Sequence, residues 1–317
     1  VGMATNMLPH NLSEVIDGII ATINNPEISI DEIITFIKAP DFPTGGIIYG
    51  MSGVKEAFHT GRGRVVVRGK AHIESDNSGR ETIIISEIPY QVNKAGLVEK
   101  IAEMMVEEKI TGISTIRDES DRNGLRVVVE VKKDAMASVV LSKLYKFTPL
   151  QTSYGVNNIA LVNGRPRLLN IRQMIDEFIK FRIEVIVRRT RYELRKAEER
   201  AHILAGLLIA LAHIDEVIAI IRSSATVDEA KDGLIANFEL SEIQAKAILE
   251  MRLQRLVSLE VEKIQAEYDE LIKIIEHYKA VLASEDMQKD IVRKELADIK
   301  DRYGDARRTE INYSDDE

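Results

Sequence analysis

The sequence predicts an α+β protein, with a mixed sheet-and-helix first half and a nearly all-helical second half. Strand-like segments separated by turn signals recur between residues 62 and 131. Residues 170–212 contain no proline and a single glycine, Gly206. Apolar residues in two later segments recur at alternating spacings of four and three, typical of long packed helices. A chain of 317 residues suits two domains, which we place at residues 1–168 and 169–317.

Composition excludes several classes of function. The chain has no cysteine, which excludes disulfides, thiolate catalysis and cysteine-ligated zinc. Its six histidines are scattered, so we expect no protein metal site. No apolar run approaches the roughly eighteen residues of a membrane span. The net charge of −8 argues against a uniformly basic nucleic-acid binder, so any contact with DNA must come from a local patch. The start at Val1, without a basic-then-apolar leader, indicates a fragment rather than a secretory precursor.

Turn and capping signals place the elements of the first half. Asn11 with Glu14, and Ser29 with Glu32, fit capping boxes, so helices should begin near residues 12 and 30. Asn93 can cap a helix in the same way. The expected strands are residues 47–48, 62–74, 80–88, 112–117 and 124–131. The further helices are expected at 94–109 and 135–146, followed by extended chain to about residue 168.

The pattern of the second half predicts an antiparallel coiled coil, the stalk, that carries a small helical domain at its end. The two heptad-like stripes run through about 170–212 and 257–282, and the chain between them must return, so the two helices should form an antiparallel coiled coil. Capping pairs Thr226–Glu229 and Ser241–Gln244 divide the intervening residues 213–256 into short helices, a tip domain. A last helix is expected at about 285–303.

One strand carries the strongest nucleic-acid signal. Because side chains alternate along a strand, Arg62, Arg64, Arg68 and Lys70 should share one face, with Val65, Val67 and Ala71 on the other. Four aligned cations suit a run of phosphates. The competing interpretation is an ordinary solvated outer face. Lys94 is a fifth expected DNA contact.

Two other charged segments favour structural interpretations. Residues 118–121 (Asp-Glu-Ser-Asp) resemble a divalent-metal cluster, yet they precede a hairpin turn, where acidic and small residues are expected. A basic run lies on the first long helix, interleaved with glutamates such as Glu184, and a salt-bridged face with pairs such as Glu184–Arg188 is favoured over a nucleic-acid surface. The run comprises Arg188, Arg189, Arg191, Arg195, Lys196 and Arg200.

Several motifs, in order and over essentially the whole chain, resemble the A subunits of bacterial type IIA DNA topoisomerases. They occupy residues 1–6 with 9–12, 40–44, 60–63, 87–94, 117–121, 247–253 and 307–311. Residues 303–311 are more similar to the gyrase branch of the family than to the topoisomerase IV branch, which is the alternative.

The resemblance implies an ATP-dependent enzyme that passes one duplex through a transient break in another. Its nucleophilic tyrosine lies on a winged-helix domain that should precede Val1, and a DNA-wrapping domain should follow. No residue here is therefore assigned a catalytic role, and the fragment alone is expected to be inactive. The fragment should bind no cofactor, because Mg²⁺ and ATP would be held by the partner B subunit of an A₂B₂ complex. We expect it in the bacterial cytoplasm, associated with the nucleoid and with no membrane contact.

The resemblance also assigns mechanical roles. The first domain resembles the tower that supports the cleaved duplex, and the stalk and tip resemble the coiled coil and dimeric exit gate. The expected dimer contacts are Ala245, Ile248, Leu249, Leu253 and Leu256. The alternative is that these residues fill only the core of the tip itself. A different class of function, a structural coiled-coil dimer without DNA contact, fits the periodicity equally well.

Overall fold

A computed structural model describes residues 4–314 and divides the chain into two compact units. The first unit is Val1–Lys180 with Arg293–Glu317, and the second is Phe181–Val292. Residues 1–3, which begin the first motif, and residues 315–317 lie outside the described residues. The mixed α/β class with a long helix is confirmed.

The elements up to residue 168 belong to the first unit. In chain order they are α1 (Leu12–Asn24), α2 (Ile30–Ile34), β1 (Ile47–Tyr49), α3 (Ser52–Thr60), β2 (Arg62–Arg68), β3 (Lys70–Ser75), β4 (Glu81–Glu87), α4 (Lys94–Val106), β5 (Ile113–Asp118), β6 (Val127–Val131), α5 (Ala137–Phe147), β7 (Gln151–Asn157), β8 (Ile159–Val162) and β9 (Arg165–Leu168).

The remaining elements are mostly helical. They are α6 (Ile171–Ala212), α7 (Ile214–Ser223), α8 (Val227–Phe238), α9 (Glu242–Glu250), α10 (Leu253–Val257), α11 (Val261–Ala283), α12 (Glu285–Tyr303) and β10 (Glu310–Asn312).

The capping side chains begin their helices where the sequence predicts. Asn11 accepts a hydrogen bond from the Glu14 amide (3.1 Å), Ser29 from the Glu32 amide (3.1 Å) and Asn93 from the Gly96 amide (3.0 Å). Each satisfies a backbone donor that the first helical turn leaves unpaired. Helix α4 ends three residues earlier than predicted, at Val106.

The strands of the first unit form two four-stranded sheets and a hairpin. The first sheet has the order β10-β1-β2-β7 and the second β3-β4-β6-β5, while β8 pairs with β9. The prediction of one strand over residues 62–74 is wrong, because the chain leaves the first sheet at Gly69 and enters the second. A Cβ at Gly69 would lie 2.6 Å from the Glu87 carbonyl oxygen and from Leu150 Cδ1. Only glycine fits so close an approach of two backbones.

The second sheet carries its helices on one face. Ile83 and Ile85 of β4 and Val127 and Val129 of β6 are buried against α4 and α5. The face of α4 that packs there is the one that the sequence predicts: Leu97, Ile101 and Met104 are buried, and Met105 is partly buried. Burying one aliphatic side chain of this size contributes about 1.5–3 kcal/mol, so this core holds the sheet and both helices together.

The C-terminal segment returns to the first unit, although its position in the sequence groups it with the helical half. Strand β10 pairs in parallel with β1, with Ile48 opposite Ile311. The Arg307 guanidinium donates to both Glu14 carboxylate oxygens at 2.8 Å, and both side chains are largely buried. The buried Thr309 hydroxyl donates to the Gly45 carbonyl at 2.8 Å. Two of the family-like motifs, residues 40–44 and 307–311, are therefore packed against each other.

In the second unit, α6 and α11 pack with opposite chain directions. Leu204 of α6 shares a buried cluster with Ile264 of α11, whereas Ala197 and Ala201 share another with Ile275. Later residues of α6 thus contact earlier residues of α11, so the two helices are antiparallel. The second helix begins later than predicted, because α11 starts at Val261 while Val257 ends α10.

The single glycine of α6 allows a short helix to approach closely. A Cβ at Gly206 would lie 2.8 Å from Gln244 Cβ of α9. Gln244 completes a capping box with Ser241, as predicted, and donates to the His202 carbonyl at 2.7 Å. The tip core is therefore fixed to α6 by both packing and hydrogen bonds.

Among the described helices, none is by itself long and apolar enough to cross a membrane. Helices α6 and α7 pass that test of length and composition only as a pair, with a bend of 92° between them.

The buried Arg307–Glu14 pair predicts a large effect on stability. Replacing Arg307 with Met leaves the Glu14 carboxylate buried without its partner, which typically costs about 3–5 kcal/mol. We expect hydrogen exchange of the β1 and β10 amides to accelerate accordingly. Arg308→Met is the matched control, because Arg308 is exposed and its only described ion pair is with exposed Asp305, 3.3 Å away. Equal acceleration in both variants would contradict the role of the pair.

Candidate nucleic-acid interface

Two arginines of β2 point outward from the first sheet without an acidic partner. Arg62 and Arg64 are exposed, while Val65 and Val67 on the other face of the strand are buried as predicted. Arg62 Nε donates to the Asn157 side-chain oxygen at 3.2 Å. Among the described residues, no carboxylate lies within ion-pair distance of either guanidinium.

The surface beside these arginines is open. Strand β7 pairs with β2 along its whole length, placing Asn157 opposite Arg62 and Gly155 opposite Arg64. A Cβ added at Gly155 would meet no atom within 4 Å. The two cations therefore lie on an uncrowded strand pair whose neighbouring side chains are small or neutral, so an extended anion can approach them.

Arg68, by contrast, is held by contacts with neighbouring side chains of the fold. Its guanidinium lies over the Tyr49 ring at 3.6 Å and the Tyr145 ring at 4.4 Å, and its Nε donates to Gln151 Oε1 at 2.7 Å. Cation–π contacts of this kind each contribute about 0.5–2 kcal/mol. Burial also raises the pKa of Tyr145. Arg68 is thus held between two aromatic rings, a contact that local sequence spacing does not reveal.

Lys70 does not share the strand of the other three cations. It begins β3 in the second sheet, and its ammonium lies 2.5 Å from Glu310 Oε1 of β10. The hydrogen bond to Glu310 raises the pKa of Lys70. The predicted face of four aligned cations is therefore wrong, since the strand break at Gly69 separates Lys70 from the face of Arg62 and Arg64.

Lys94 is likewise paired with an acid. Its ammonium lies 2.8 Å from Asp118 Oδ2. Hydrogen bonds from Lys94 and then from Ser120 lower the pKa of Asp118 to about 2. The Asp118 carboxylate also accepts from the Ser120 amide at 3.0 Å.

The acidic segment that follows β5 forms the turn that the sequence favours. Asp121 accepts from the Asn123 amide at 2.8 Å and forms an isolated bridge with Gly124. Glu119 pairs with Arg126 at 3.2 Å. No group of three or more potential metal ligands occurs among residues 4–314. The carboxylates of this segment are used by the turn and its basic neighbours.

Two exposed arginines lie outside the sites predicted from the sequence. Arg165 and Arg167 lie on β9, two residues apart, and both are exposed. No ion pair to either is formed within the part of the chain that the structure describes. Their alternation around Pro166 is a signal that resembles the Arg62–Arg64 spacing, but it lies in a short hairpin of two four-residue strands.

The five predicted dimer contacts of the tip divide into two groups. Ala245, Ile248 and Leu256 are buried in the core of the tip within one chain. Leu249 and Leu253 are partly exposed. Three exposed aliphatics on α9, α10 and α11 are not among the five predicted contacts, namely Ile243, Val257 and Val261, which are 64%, 55% and 50% exposed. Their exposure could not be read from helical spacing alone, because it depends on how the short helices cross.

The expected ion pair between Glu184 and Arg188 on α6 is not formed in the described structure. Of the basic run on this helix, Arg200 pairs with Glu267 of α11 at 2.9 Å. The predicted Glu184–Arg188 pair is therefore wrong, whereas the Arg200–Glu267 pair is a salt bridge of the kind that the sequence favours for this face.

The described tyrosines with shifted pKa values show no activation of a nucleophile. Burial raises the pKa of Tyr154 to about 12, and its hydroxyl donates to the Tyr90 carbonyl. A phenol that must attack as an anion needs the opposite shift. The Tyr154 hydroxyl instead stabilises the loop that follows β4.

The Lys94–Asp118 pair predicts a measurable titration. The folded-state pKa of Asp118 is depressed, so its contribution to stability is present above the ordinary pKa of 3.8 and is lost as the pH falls through about 2. We expect Lys94→Met to raise the pKa of Asp118 toward its ordinary value, measured by the pH dependence of the carboxyl carbon shift in NMR spectra. Lys100→Met, which removes only the Glu103 partner, is the control and should leave Asp118 at about 2. An unchanged titration in Lys94→Met would show that the pair does not form in solution.

Comparison with known proteins agrees with the motifs. A family model for the A subunits of DNA gyrase and topoisomerase IV matches residues 1–297. The chain is 55% identical to the gyrase A protein of Halalkalibacterium halodurans over 316 residues, and 55% identical to that of Clostridium acetobutylicum over 317 residues. It is 54% identical to the gyrase A protein of Staphylococcus aureus over 312 residues.

These alignments cover 98–100% of this chain but only 35–38% of the length of the relatives. The chain thus spans little more than a third of the proteins that it matches. All three relatives are gyrase subunits, which favours the gyrase branch over topoisomerase IV. The resemblance inferred from the motifs is confirmed, and the chain belongs to the family formed by the A subunits of DNA gyrase and topoisomerase IV.

Proposed function

We propose that this chain is the DNA-supporting and exit-gate region of the A subunit of a bacterial DNA gyrase. The observation that carries the proposal is the similarity to gyrase A proteins along essentially the whole chain. The holoenzyme would pass one duplex through a transient break in another, driven by ATP. The nucleophilic tyrosine would lie outside these residues, and the B subunit of an A₂B₂ complex would bind Mg²⁺ and ATP. Such an enzyme would act in the cytoplasm, at the nucleoid.

In this proposal the first unit is the tower that supports the cleaved duplex. Arg62 and Arg64 are exposed, unpaired with any described carboxylate, and two residues apart on one strand face. Their Cα atoms are about 6.7 Å apart along the strand. Duplex DNA carries one phosphate charge per roughly 1.7 Å of its axis, so both guanidinium groups can reach phosphates at once. Such contacts position a duplex without reading its sequence.

The second unit would be the antiparallel coiled coil and the exit gate. The opposed packing of α6 and α11 supports a stalk, and the short helices α7–α10 support a separate tip. A two-fold gate needs a self-complementary surface. Because Ala245, Ile248 and Leu256 are buried in the tip core, we assign the contact to Leu249 and Leu253 together with the exposed aliphatics on α9–α11.

The DNA-supporting role predicts salt-sensitive binding of a duplex. We expect Arg62→Gln/Arg64→Gln to weaken binding of a fluorescent 40-base-pair duplex and to reduce the slope of log affinity against log salt by roughly 2, about 0.9 for each lost phosphate contact. Fluorescence anisotropy between 50 and 200 mM salt measures both quantities.

Arg117→Gln/Arg126→Gln is the matched control for this measurement. It changes the net charge by the same amount, but both exposed guanidinium groups already have acidic partners. Arg117 pairs with Glu130 at 2.6 Å and Arg126 with Glu119 at 3.2 Å. We expect little change. Equal weakening in both variants would show that net charge, rather than the β2 face, governs binding.

The exit-gate role predicts a homodimer without DNA. Each aliphatic buried at an interface contributes about 1.5–3 kcal/mol, so Ile243→Asp/Val257→Asp/Val261→Asp should produce a monomer at micromolar concentration in sedimentation equilibrium. The three side chains are exposed within one chain, so the monomer should keep its fold. Val227→Asp, at a still more exposed valine (72%) that begins α8 of the tip, is the control and should remain dimeric. A wild-type chain that sediments as a monomer would overturn this part of the proposal.

A second candidate function is a structural coiled-coil dimer that holds its partners apart without binding DNA. The exposed aliphatics on α9–α11 support it as well as they support an exit gate. The β2 face distinguishes the two candidates, because a spacer gains nothing from unpaired cations there. Dimerisation without any salt-sensitive duplex binding would favour the structural candidate.

A further inference from the structure

A second cationic surface lies on the helical unit. We define the cationic stripe as four basic side chains on the exposed face of α6, Arg188, Arg191, Arg195 and Lys196. Each residue of a helix advances by about 100°, which places Arg188, Arg191 and Arg195 on the side opposite the buried residues Ile186 and Ala197, with Lys196 at the edge of that side. The stripe belongs entirely to the second unit.

Acids lie close to the stripe in sequence, but none forms an ion pair with it in the described part of the chain. Among the described residues, no carboxylate lies within 4.0 Å of any of its four charged groups. Glu184 lies one helical turn before Arg188, and Glu198 and Glu199 lie one turn after Arg195, on the same side of the helix. Arg200, beyond the C-terminal end of the stripe, behaves differently and pairs with Glu267 at 2.9 Å. The partners that the sequence offers are therefore used next to the stripe but not within it.

An exposed aromatic ring lies in the middle of the stripe. Tyr192 is 48% exposed, and the Arg195 guanidinium carbon and the Lys196 ammonium each lie 5.6 Å from its ring centroid. Contacts of this kind orient the cations rather than neutralise them. Because two cations already occupy positions around the ring, the tyrosine is poorly placed to stack on unpaired bases. The arrangement favours contact with phosphates.

Four like charges within about 12 Å of helix repel one another in the absence of an anion. Exposed cations without ion pairs, on a chain of net charge −8, can attract a polyanion whose charges are closely and regularly spaced. Arg188, Arg191 and Arg195 lie within about 60° of one another around the helix and over about 10.5 Å along it, which suits the closely spaced phosphates of a duplex. We infer that the cationic stripe is a second, sequence-independent contact surface for duplex DNA, distinct from the β2 face.

The stripe can be tested on the full 317-residue chain by neutralisation. Arg188→Gln/Arg191→Gln/Arg195→Gln/Lys196→Gln removes four charges and keeps good helix-forming residues. We expect roughly tenfold weaker binding of the 40-base-pair duplex at 50 mM salt, and a salt slope smaller by about 2–3. Circular dichroism should show unchanged helix content.

The control removes four other exposed lysines of the same unit, Lys246→Gln/Lys263→Gln/Lys273→Gln/Lys279→Gln. It changes the net charge equally, but its lysines on α11 lie among acidic residues. We expect duplex binding to change less than twofold. Weakening as large as in the stripe variant would overturn the proposal, because net charge would then explain both results. Unchanged duplex binding in the stripe variant would overturn it as well.

Two further measurements separate this surface from the alternatives. Tighter binding of a 40-nucleotide single strand than of the duplex, abolished by Tyr192→Ala, would replace duplex contact with single-strand stacking and overturn the inference. Combining the stripe variant with Arg62→Gln/Arg64→Gln should give additive losses, because the two surfaces act independently. If only the stripe variant weakens binding, the β2 part of the proposed function fails while this inference stands.

Discussion

The buried ion pair between Arg307 and Glu14 is the contact on which the first unit depends. These residues are almost three hundred positions apart, and the pair holds the end of the described chain against its first helix. The entropic cost of closing so long a loop must be offset by contacts formed together. Here they are the ion pair, the Thr309 hydrogen bonds and the parallel pairing of β10 with β1. The helical unit is therefore inserted in sequence between two segments of the first unit, which contain β1 and β10 and pair within one sheet.

The same closure determines which cations remain available. When β10 joins the first sheet, it brings Glu310 to Lys70. The pairing of β1 with β2 places Tyr49 beneath the Arg68 guanidinium. Some of the positive charges near the first sheet thus stabilise the fold itself. On β2, Arg62 and Arg64 remain exposed and without an ion pair among the described residues. Counting basic residues along a strand overestimates a binding surface for this reason.

In the helical unit, too, some side chains stabilise the fold while others of the same type remain exposed. Ala245 and Ile248 complete the core of the tip, whereas Ile243, two residues before Ala245 on the same short helix, is left in solvent. On α6, Arg200 links to α11, whereas Arg188 and Arg195 find no described acid. In both cases the candidates for contact with a partner are the side chains that the fold leaves exposed or unpaired, rather than those that best match the helical repeat.

Local signals in the sequence determined the start of each capped helix and the length of α6. Asn11, Ser29 and Asn93 act within one helical turn, so their effect needs no knowledge of the fold. The heptad spacing is equally local, since it fixes which side of a helix is buried. The motifs, taken together, also identified the family. Residue types alone also suggested a basic face on β2, and of its predicted cations Arg62 and Arg64 are exposed and without an ion pair among the described residues.

The tertiary structure decided whatever depends on residues far apart in the chain. The break at Gly69 follows from the approach of Glu87 and Leu150, and neither is a neighbour in sequence. The aromatic contacts of Arg68 and the acid beside Lys70 likewise come from distant segments. A pattern of alternating side chains cannot show where a strand changes sheets, because both sheets satisfy the same alternation. Only the folded chain distinguishes a cation that holds the structure together from one that is free to bind.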